Sequence, residues 1–455
     1  MTTGDGTPSG HSWARQEPDR AADVARARMA RALRESGHTP SAAVQAAFLA
    51  VPRHLFVPEL DPAVAYQDEA LVIKYGEDGL PVSSSSQPAM MAIMLEQLGL
   101  QPGHRVLEIG TGTGYNAAVM AHIVGPEGTV VTVDIDADLI ARARASLAGA
   151  GFSQVRASCA DGGYGDPQDA PFDRIIVTAG AWDIAPAWLD QLAPAGRLVL
   201  PLSVRGIQLS VGLARQGDYW VATSAFRCGF VRMTGAFADP EPFRPLGLTP
   251  GLYVQTDDGR VLDLGELAAA LSGPASDAGA GVRARSRDEL ADLDLWLTLT
   301  QPDLARLTIM ETTASRARVG PLLPFGGLAG DAAPPDLPTP PDQPVPPELP
   351  GLGVGGLVGV RPARPVLASS GQRPALEQRA YPGEIVLRGY GPGGPALAGY
   401  LGRQVSAWDK LGRPGTADLA LTVWPASAEL ASPPGQILLR RPHVRLAAGW
   451  APPPG

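Results

Sequence analysis

The sequence predicts an α/β fold built on a doubly wound, mostly parallel sheet, and two observations support this prediction. Between residues 104 and 201, short apolar strand patterns alternate with helical patterns, which is typical of a parallel sheet covered on both faces. A Gly-rich turn, Glu108–Gly114 (EIGTGTG), follows the first of these strands and opens a helix. Such turns bring backbone N–H groups close to a ligand at the carboxyl edge of the sheet.

The elements of this sheet follow in order along the chain. Strands are expected at 104–109, 128–135, 154–158, 172–178 and 196–201, and helices at 116–124, 137–149 and 188–192. Two further runs, 208–214 and 220–232, could close the sheet as an antiparallel edge. Ahead of the sheet, residues 1–17 are expected to be disordered. An amphipathic helix over 18–37 with Val24, Met29 and Leu33 among its apolar positions ends at Gly37, and a second helix covers 41–50.

The character of the sequence changes after residue 237. Residues 284–313 mix a helix with a strand, and residues 325–375 are dominated by Pro and Gly, which predicts a linker or long loop. Order is expected again over 383–450, with strands at 384–390, 418–424 and 436–446. A helix over 395–411 would carry its apolar residues on one side: Leu397, Tyr400, Leu401, Val405, Trp408 and Leu411. We therefore predict a disordered N-terminus (1–17), a first domain (18–237) and a smaller accessory α+β domain (238–455).

Composition excludes several classes of partner. The formal net charge is −9, whereas a nucleic-acid-binding chain needs clustered cations, so nucleic acid is not expected as a partner. No signal peptide and no long apolar run is seen, so no membrane partner is expected and a cytoplasmic location is predicted. Cys159 and Cys228 give no disulfide framework and no metal-ligand spacing, so no metal is expected, and both thiols are expected to be buried. The oligomeric state is left open.

Three acidic residues end successive strands of the predicted sheet. Glu108 lies two residues before the first glycine of the turn, Asp134 ends the next strand, and Asp161 follows the third. Each alone would more often be a surface or capping residue, but together they line the edge where ligands of open α/β sheets bind. Negative charge beside the turn suits a ligand with a sulfonium and an ammonium better than a pyrophosphate. The sequence thus favours S-adenosylmethionine as cofactor, with a NAD-type site second, since Tyr115 stands where a dinucleotide fingerprint needs glycine.

Several segments resemble the protein-L-isoaspartate O-methyltransferases over about residues 25–237. VPRHLFVP (51–58) and APFDRIIVTAG (170–180) are the most specific. The other matching segments are AYQDEAL (65–71), SQP (86–88), RVLEIGTGTGYNAAV (105–119), ADG (160–162) and CGFVRMTG (228–235). The resemblance implies a Rossmann-like methyltransferase domain that transfers a methyl group to a carboxylate of an aspartyl or isoaspartyl residue in a peptide or protein.

The resemblance also implies roles for individual residues. Ser86 matches the family's active-site serine and would orient the acceptor carboxylate, with Ser84, Ser85 and Gln87 beside it in substrate binding. Because a carboxylate is already ionised at neutral pH, no strong general base is required. Ser86 is also expected to be the N-cap of the helix that follows, and His54 is expected to pack or hydrogen-bond. The methionine part of the cofactor would be held by Glu108, Gly110, Thr111, Gly112 and Gly114, the ribose by Asp134, and the adenine by Asp161 and Gly162.

Two departures from the family bear on the substrate. The loop before Ser86 (LVIKYGEDGLPVSSSSQP) is longer and carries Glu77 and Asp78, and residues 238–455 have no counterpart in the repair enzyme. This combination is similar to a variant associated with ribosomally made, modified peptides such as lanthipeptides, graspetides and lasso peptides. Methylation of an aspartate there leads to an aspartimide and onward to isoaspartate. That activity is the first expectation, with general isoaspartyl repair as the alternative. A small-molecule carboxyl methyltransferase and a binding module without turnover are weaker readings.

Overall fold

A computed structural model describes residues 16–77, 81–240, 244–247, 252–255, 263–301, 306–309, 325–329, 354–362, 383–430 and 435–450. The chain divides into two compact units. Unit 1 comprises Met1–Leu202, Ser210–Arg215 and Cys228–Ala238, and unit 2 comprises Ser203–Leu209, Gln216–Arg227 and Asp239–Gly455. That residues 18–237 form a domain by themselves stays a prediction. None of the helices in the described ranges combines the length and the low polarity needed to cross a bilayer.

Unit 1 is built on the predicted parallel sheet. Its strand order is β5-β4-β3-β6-β7-β8, and the first five of these strands run parallel. A separate antiparallel hairpin, β1–β2, pairs Leu71 with Ser85 and Val72 with Ser84. The elements are α1 Gln16–Glu35, α2 Ala42–Ala50, α3 Pro62–Ala65, β1 Leu71–Tyr75, β2 Pro81–Ser85, α4 Pro88–Leu98, β3 Arg105–Ile109, α5 Tyr115–Val124, β4 Thr129–Asp134, α6 Ala137–Gly149, β5 Arg156–Cys159, β6 Phe172–Val177, α7 Pro186–Asp190, β7 Leu192–Val204 and β8 Ile207–Gln216.

Local sequence signals set the ends of the helices that surround the site. Helix α6 begins where Asp136 accepts hydrogen bonds from the backbone N–H groups of Asp138 and Leu139. Helix α4 has Pro88 in its first turn and ends at Gly99, which adopts the left-handed conformation at φ 61°. The cap of α6 fixes where the turn after β4 lies at the carboxyl edge of the sheet, and Gly99 ends α4 ahead of β3.

The main core of unit 1 joins α1, α2, α4 and α5 to the sheet. Phe48 of α2, Leu95 of α4 and Met120 of α5 are fully buried in it, together with Val106 of β3 and Ile176 of β6. Complete burial of such a side chain contributes roughly 1.5–3 kcal/mol, so this packing holds the helices on the sheet.

Unit 2 contains two sheets of its own, with the strand orders β10-β11-β13 and β12-β16-β15-β14, and a further run of paired strands in the order β9-β17-β19-β18. Every pairing given for these strands is antiparallel. Helix α10 packs on β12 and β16 through the buried residues Leu401, Val405 and Trp408. The elements are β9 Tyr219–Arg227, β10 Arg244–Pro245, β11 Leu252–Gln255, α8 Leu264–Ser272, β12 Ala275–Ala284, α9 Arg287–Thr300, β13 Arg306–Ile309, β14 Phe325–Ala329, β15 Val354–Pro362, β16 Gly383–Tyr390, α10 Gly394–Lys410, β17 Leu419–Pro425, β18 Gln436–Arg440 and β19 Val444–Trp450.

The α/β class and the parallel strands were predicted correctly, but four details of the secondary structure were wrong. Residues 16 and 17 belong to α1 and are not disordered, while residues 1–15 lie outside the described ranges. The stretch 436–446 is a hairpin, β18 and β19, and not one strand, because the chain turns at residues 441–443. Strand β9 ends at Arg227 and does not reach residue 232, and its Val221 and Trp220 pair with Thr422 and Val423 of β17. The segment 325–375 contains β14 and β15 and is therefore not simply a linker; its remaining residues lie outside the described ranges.

Three expectations about burial were also wrong. Val24 is 65% exposed, because Met29 and Leu33 occupy the buried face of α1. Leu411 is 54% exposed, because α10 ends one residue before it and the chain turns away. Cys159 is exposed, since it ends β5 at the edge of the sheet, and Cys228 is partly exposed; neither forms a disulfide.

Candidate cofactor and acceptor site

A cavity of about 290 Å³ opens at the carboxyl edge of the sheet in unit 1. One wall is the Gly-rich turn after β3, and another is the end of the β1–β2 hairpin with the start of α4. Residues 230–234 close a third side. The predicted site residues that line the cavity are Ser84, Ser85, Ser86, Glu108, Gly110, Thr111, Gly112, Asp134 and Gly162.

Glu108 is the most buried acid of the site, with 1% of its surface exposed. One carboxylate oxygen accepts a hydrogen bond from Asn116 Nδ2 at 2.7 Å, and the other accepts one from Thr132 Oγ1 at 2.6 Å. Burial raises the pKa of this carboxyl from 4.5 to about 7, although the hydrogen bonds from Thr132 and Asn116 act to lower it. Asp134 adds a smaller rise. The site therefore holds an acid that a nearby positive charge would ionise.

Asn116 and Tyr115 offer unused polar atoms in the cavity wall. Asn116 Oδ1 and the Tyr115 hydroxyl are buried, and neither has a hydrogen-bond partner among the described residues. An acceptor such as Asn116 Oδ1 beside a carboxylate fits an ammonium group, which has three N–H donors. These residues thus fit the methionine end of S-adenosylmethionine. Sequence reasoning missed Asn116, although its position in the first turn of α5, after the Gly-rich turn, was a usable signal.

Asp134 links the Gly-rich turn to the next strand-to-helix turn. One of its oxygens accepts from the N–H of Gly112 at 3.0 Å, and the other accepts from the N–H of Asp136 at 3.1 Å. Asp136 also lines the cavity, caps α6 and forms an ion pair with Lys74 of β1. Its hydrogen bond from Lys74 holds the pKa of the Asp136 carboxyl below its usual range. The acid at the end of β4 thus organises the turn as well as facing the cavity.

Glycine is required at Gly110 for two reasons. Its φ is +101°, a conformation that side chains disfavour, and a Cβ atom there would lie 2.6 Å from Thr178 Oγ1. Thr178 Oγ1 donates to the carbonyl oxygens of Ile109 and Gly110 at 3.1 and 2.7 Å. A side chain at this position would displace the threonine that fixes the turn.

Three predicted site residues lie outside the cavity wall. Asp161 accepts hydrogen bonds from the N–H groups of Gly163 and Ala236, at 2.9 and 2.7 Å, so both of its oxygens are engaged. Gly114 is the N-cap residue of α5, where a Cβ would contact α6 at 3.3 Å. Gln87 is exposed and donates from Nε2 to Asp68 at 3.1 Å. The exposed residue Ile135 lines the cavity and was missed.

The expectation that Ser86 caps α4 was wrong. The N-cap residue is Gln87, and the carboxylate of Asp68 satisfies the helix end by accepting from the N–H of Ala89 at 2.8 Å. The Ser86 side chain is left free to face the cavity, and its hydroxyl has no hydrogen bond to any residue that the structure describes. His54 Nδ1 lies 2.9 Å from the Tyr66 hydroxyl, in agreement with the hydrogen-bonding role expected for it.

Comparison with known proteins matches one family over unit 1. The family model of protein-L-isoaspartate(D-aspartate) O-methyltransferase matches residues 25–238. A protein-L-isoaspartate O-methyltransferase of Methanopyrus kandleri is 40% identical over 229 residues, which are 50% of this chain and 99% of that protein. Protein-L-isoaspartate O-methyltransferase 2 of Archaeoglobus fulgidus is 44% identical over 180 residues, 40% of this chain and 79% of that protein.

Two solved structures are similar to this chain at low sequence identity. One protein-L-isoaspartate O-methyltransferase is 23% identical, with a TM-score of 0.44, over 87% of this chain and 96% of that chain. A Plasmodium falciparum chain in complex with S-adenosyl-L-homocysteine is 21% identical, with a TM-score of 0.41, over 45% of this chain and 96% of that chain.

Proposed function

The chain belongs to the protein-L-isoaspartate O-methyltransferase family, and on that premise we propose that it methylates the free carboxylate of isoaspartyl residues in polypeptides. It is an S-adenosylmethionine-dependent protein carboxyl O-methyltransferase on a Rossmann-like α/β sheet. The observation that supports the proposal best is that the Gly-rich turn and Ser84–Ser86 line one cavity. Cofactor and acceptor would therefore meet there.

The reaction does not require the protein to transfer a proton. S-adenosylmethionine, when bound, supplies a methyl group on a positively charged sulfur. The acceptor carboxylate oxygen would take that methyl group, and the electron pair of the broken S–CH₃ bond would stay on sulfur, so that an anion and a cation would give two neutral groups. No proton moves, and alignment and exclusion of water are the contributions left to the chain.

Individual roles follow from the positions of the side chains. Ser86 would donate a hydrogen bond from its free hydroxyl to the acceptor carboxylate and orient it. Glu108 and Asn116 would hold the ammonium of the cofactor, and Asp134 would face the ribose. Gly114, Asp161 and Gln87 would support the site indirectly, because they contact other residues and lie outside the cavity wall.

The test compares two peptides that differ only in one linkage. An isoaspartyl peptide and its aspartyl twin are incubated with enzyme and S-adenosylmethionine, and methyl ester is measured by mass spectrometry. We expect esterification of the isoaspartyl peptide alone, and loss of at least tenfold in kcat/KM for Ser86→Ala with unchanged cofactor affinity. Esterification of the aspartyl twin alone would contradict the proposal.

A second candidate function is supported by unit 2. The 229-residue match covers nearly all of the M. kandleri relative, yet it accounts for half of this chain, and unit 2 carries its own sheets and a buried core around Trp408. This extra unit favours an aspartate in a dedicated, ribosomally made modified peptide as acceptor, with the ester closing to an aspartimide. The family comparisons favour the isoaspartyl acceptor, so we rank it first. Methylation of an aspartyl residue in a cognate peptide, followed by loss of methanol and without methylation of the isoaspartyl twin, would reverse that order.

A further inference from the structure

Arg53 is a buried cation next to the acceptor segment, and no role has been assigned to it so far. Its side chain is fully buried, at 0% exposure, in a short 3-10 turn, Arg53–Phe56. Nη1 donates to the carbonyl oxygen of Ser86 at 2.9 Å, and Nη2 donates to that of Ser85 at 3.4 Å. Both of these residues line the cavity.

The guanidinium of Arg53 is held without a paired carboxylate. No acidic oxygen of the described residues lies within 4.0 Å of it, and its Nε is buried without a hydrogen-bond partner. Asp68 attracts the Arg53 guanidinium electrostatically from further away, and the Asp68 carboxylate accepts a hydrogen bond at the start of α4. Burial lowers the pKa of Arg53. A buried, incompletely paired cation is costly to maintain, which argues that its position serves the site.

Arg53 also contacts the cofactor side of the cavity. Its guanidinium carbon lies 5.2 Å from the centre of the Tyr115 ring, in a cation–π arrangement. Tyr115 begins α5 directly after the Gly-rich turn and packs between Phe48 and Phe56. Arg53 therefore lies between the first residue of the cofactor helix and the peptide that carries Ser86.

We infer that Arg53 is a positioning residue for the acceptor: its forked donors fix the Ser85–Ser86 peptide, and its charge attracts the acceptor carboxylate to Ser86. The inference rests on the proposed carboxylate acceptor. The planar fork matters because it reaches two carbonyl oxygens at once, which a lysine ammonium does less well. The charge matters because a carboxylate entering a cavity loses hydration, and a buried cation offsets that loss.

The experiment measures steady-state methylation of an isoaspartyl peptide and calorimetric binding of S-adenosylhomocysteine for two variants. For Arg53→Met we expect at least a tenfold rise in acceptor KM, with S-adenosylhomocysteine affinity within twofold of wild type. Arg53→Lys keeps the charge and most of the volume, and we expect its acceptor KM to be close to that of wild type while its kcat stays reduced. Added guanidinium ion should lower the KM of Arg53→Met and not that of wild type.

Arg144→Met is the matched control. Arg144 also holds a backbone carbonyl, donating from Nε and Nη2 to Ala157 at 2.9 and 2.6 Å, but Ala157, unlike Ser85 and Ser86, does not line the cavity. A purely structural role for Arg53 would lower the melting temperature, weaken cofactor binding and raise the acceptor KM together, as in the control, and that pattern overturns the inference. If Arg53→Met does not fold, Arg53→Lys with wild-type kcat and KM overturns it equally. A wild-type enzyme that binds S-adenosylhomocysteine but esterifies no carboxylate refutes the proposed function instead.

Discussion

Glu108 should make cofactor binding depend on pH near neutrality. In the structure its carboxyl has a pKa of about 7, because burial penalises the charged form. A bound ammonium beside it would favour ionisation, so binding should expel the proton from the carboxyl. Below pH 7 the affinity for S-adenosylhomocysteine should then fall by up to tenfold per pH unit, and above pH 7 it should level off.

In the cofactor-free protein, the raised pKa of Glu108 makes the folded state less stable as pH rises, which is opposite to its effect on cofactor affinity. The pKa of Glu108 is raised on folding from 4.5 to about 7, so the folded state binds this proton more tightly than the unfolded state. That contribution to stability is fully present below pH 4.5 and is lost as pH rises through 7. At about 1.4 kcal/mol per pKa unit, the carboxyl would cost on the order of 3 kcal/mol above pH 7, which a bound cation would offset.

The assay is calorimetric titration of S-adenosylhomocysteine between pH 5.5 and 8.5 in buffers of different ionisation enthalpy. Wild type should release close to one proton at pH 6 and close to none at pH 8.5. Glu108→Gln should remove both the proton release and the pH slope, and should weaken binding by roughly 10- to 100-fold, as loss of a charged hydrogen-bond partner does.

Glu96→Gln is the control for this prediction. Glu96 also accepts two hydrogen bonds, from the N–H and the hydroxyl of Ser41, but it is not part of the cavity. It should leave the pH slope of wild type intact. A flat pH dependence in wild type, or an unchanged slope in Glu108→Gln, would show that Glu108 does not meet the cationic end of the cofactor.

Two further substitutions probe the cofactor wall, each with a matched control. Lys74→Met removes the ion pair between β1 and the cap of α6, and should weaken S-adenosylhomocysteine binding two- to fivefold at low salt and not at 0.5 M salt. Lys410→Met, which removes the chain's other lysine, should have no effect. Equal affinities in the two variants would refute the idea that the Lys74 ion pair supports cofactor binding. Gly110→Ala combines a φ of +101° with a 2.6 Å approach to Thr178, and should cost more than tenfold in cofactor affinity as well as stability. Gly125→Ala also has a positive φ but meets nothing within 4 Å, so thermal melting should show only a loss of about 1 kcal/mol, with binding unchanged.

The sequence was sufficient to predict the parallel sheet and the residues of the Gly-rich turn that line the cavity. Alternating apolar patterns and three acids at strand ends are local signals, and parallel strands bring their carboxyl ends to one edge. For this reason Glu108, Gly110 and Asp134, which were expected at that edge, all line the cavity, while their roles in cofactor binding stay predictions. The pattern could not say which oxygen of Asp134 or Asp161 would be engaged by backbone N–H groups, because those partners come from distant segments.

Arg53 and Asp68 show most clearly what sequence patterns leave out. Arginine and aspartate are residue types that are usually found at the surface. Their roles arise from contacts more than 20 residues away, with Ser85, Ser86 and Ala89. The same limit explains the error about the cap of α4: a serine before Gln-Pro is a good cap locally, but Asp68 reaches the helix end first.

The exposed thiol of Cys159, at the end of β5, offers a place for a fluorescent label next to the cofactor site. Cys159 is exposed, its sulfur lies 3.7 Å from the carbonyl oxygen of Ile135, and Ile135 lines the cavity. With Cys228 replaced by serine, a maleimide fluorophore could be attached at one position only, beside the wall that the cofactor would contact. Its emission would then follow cofactor arrival and departure in stopped flow, in real time and without any acceptor peptide.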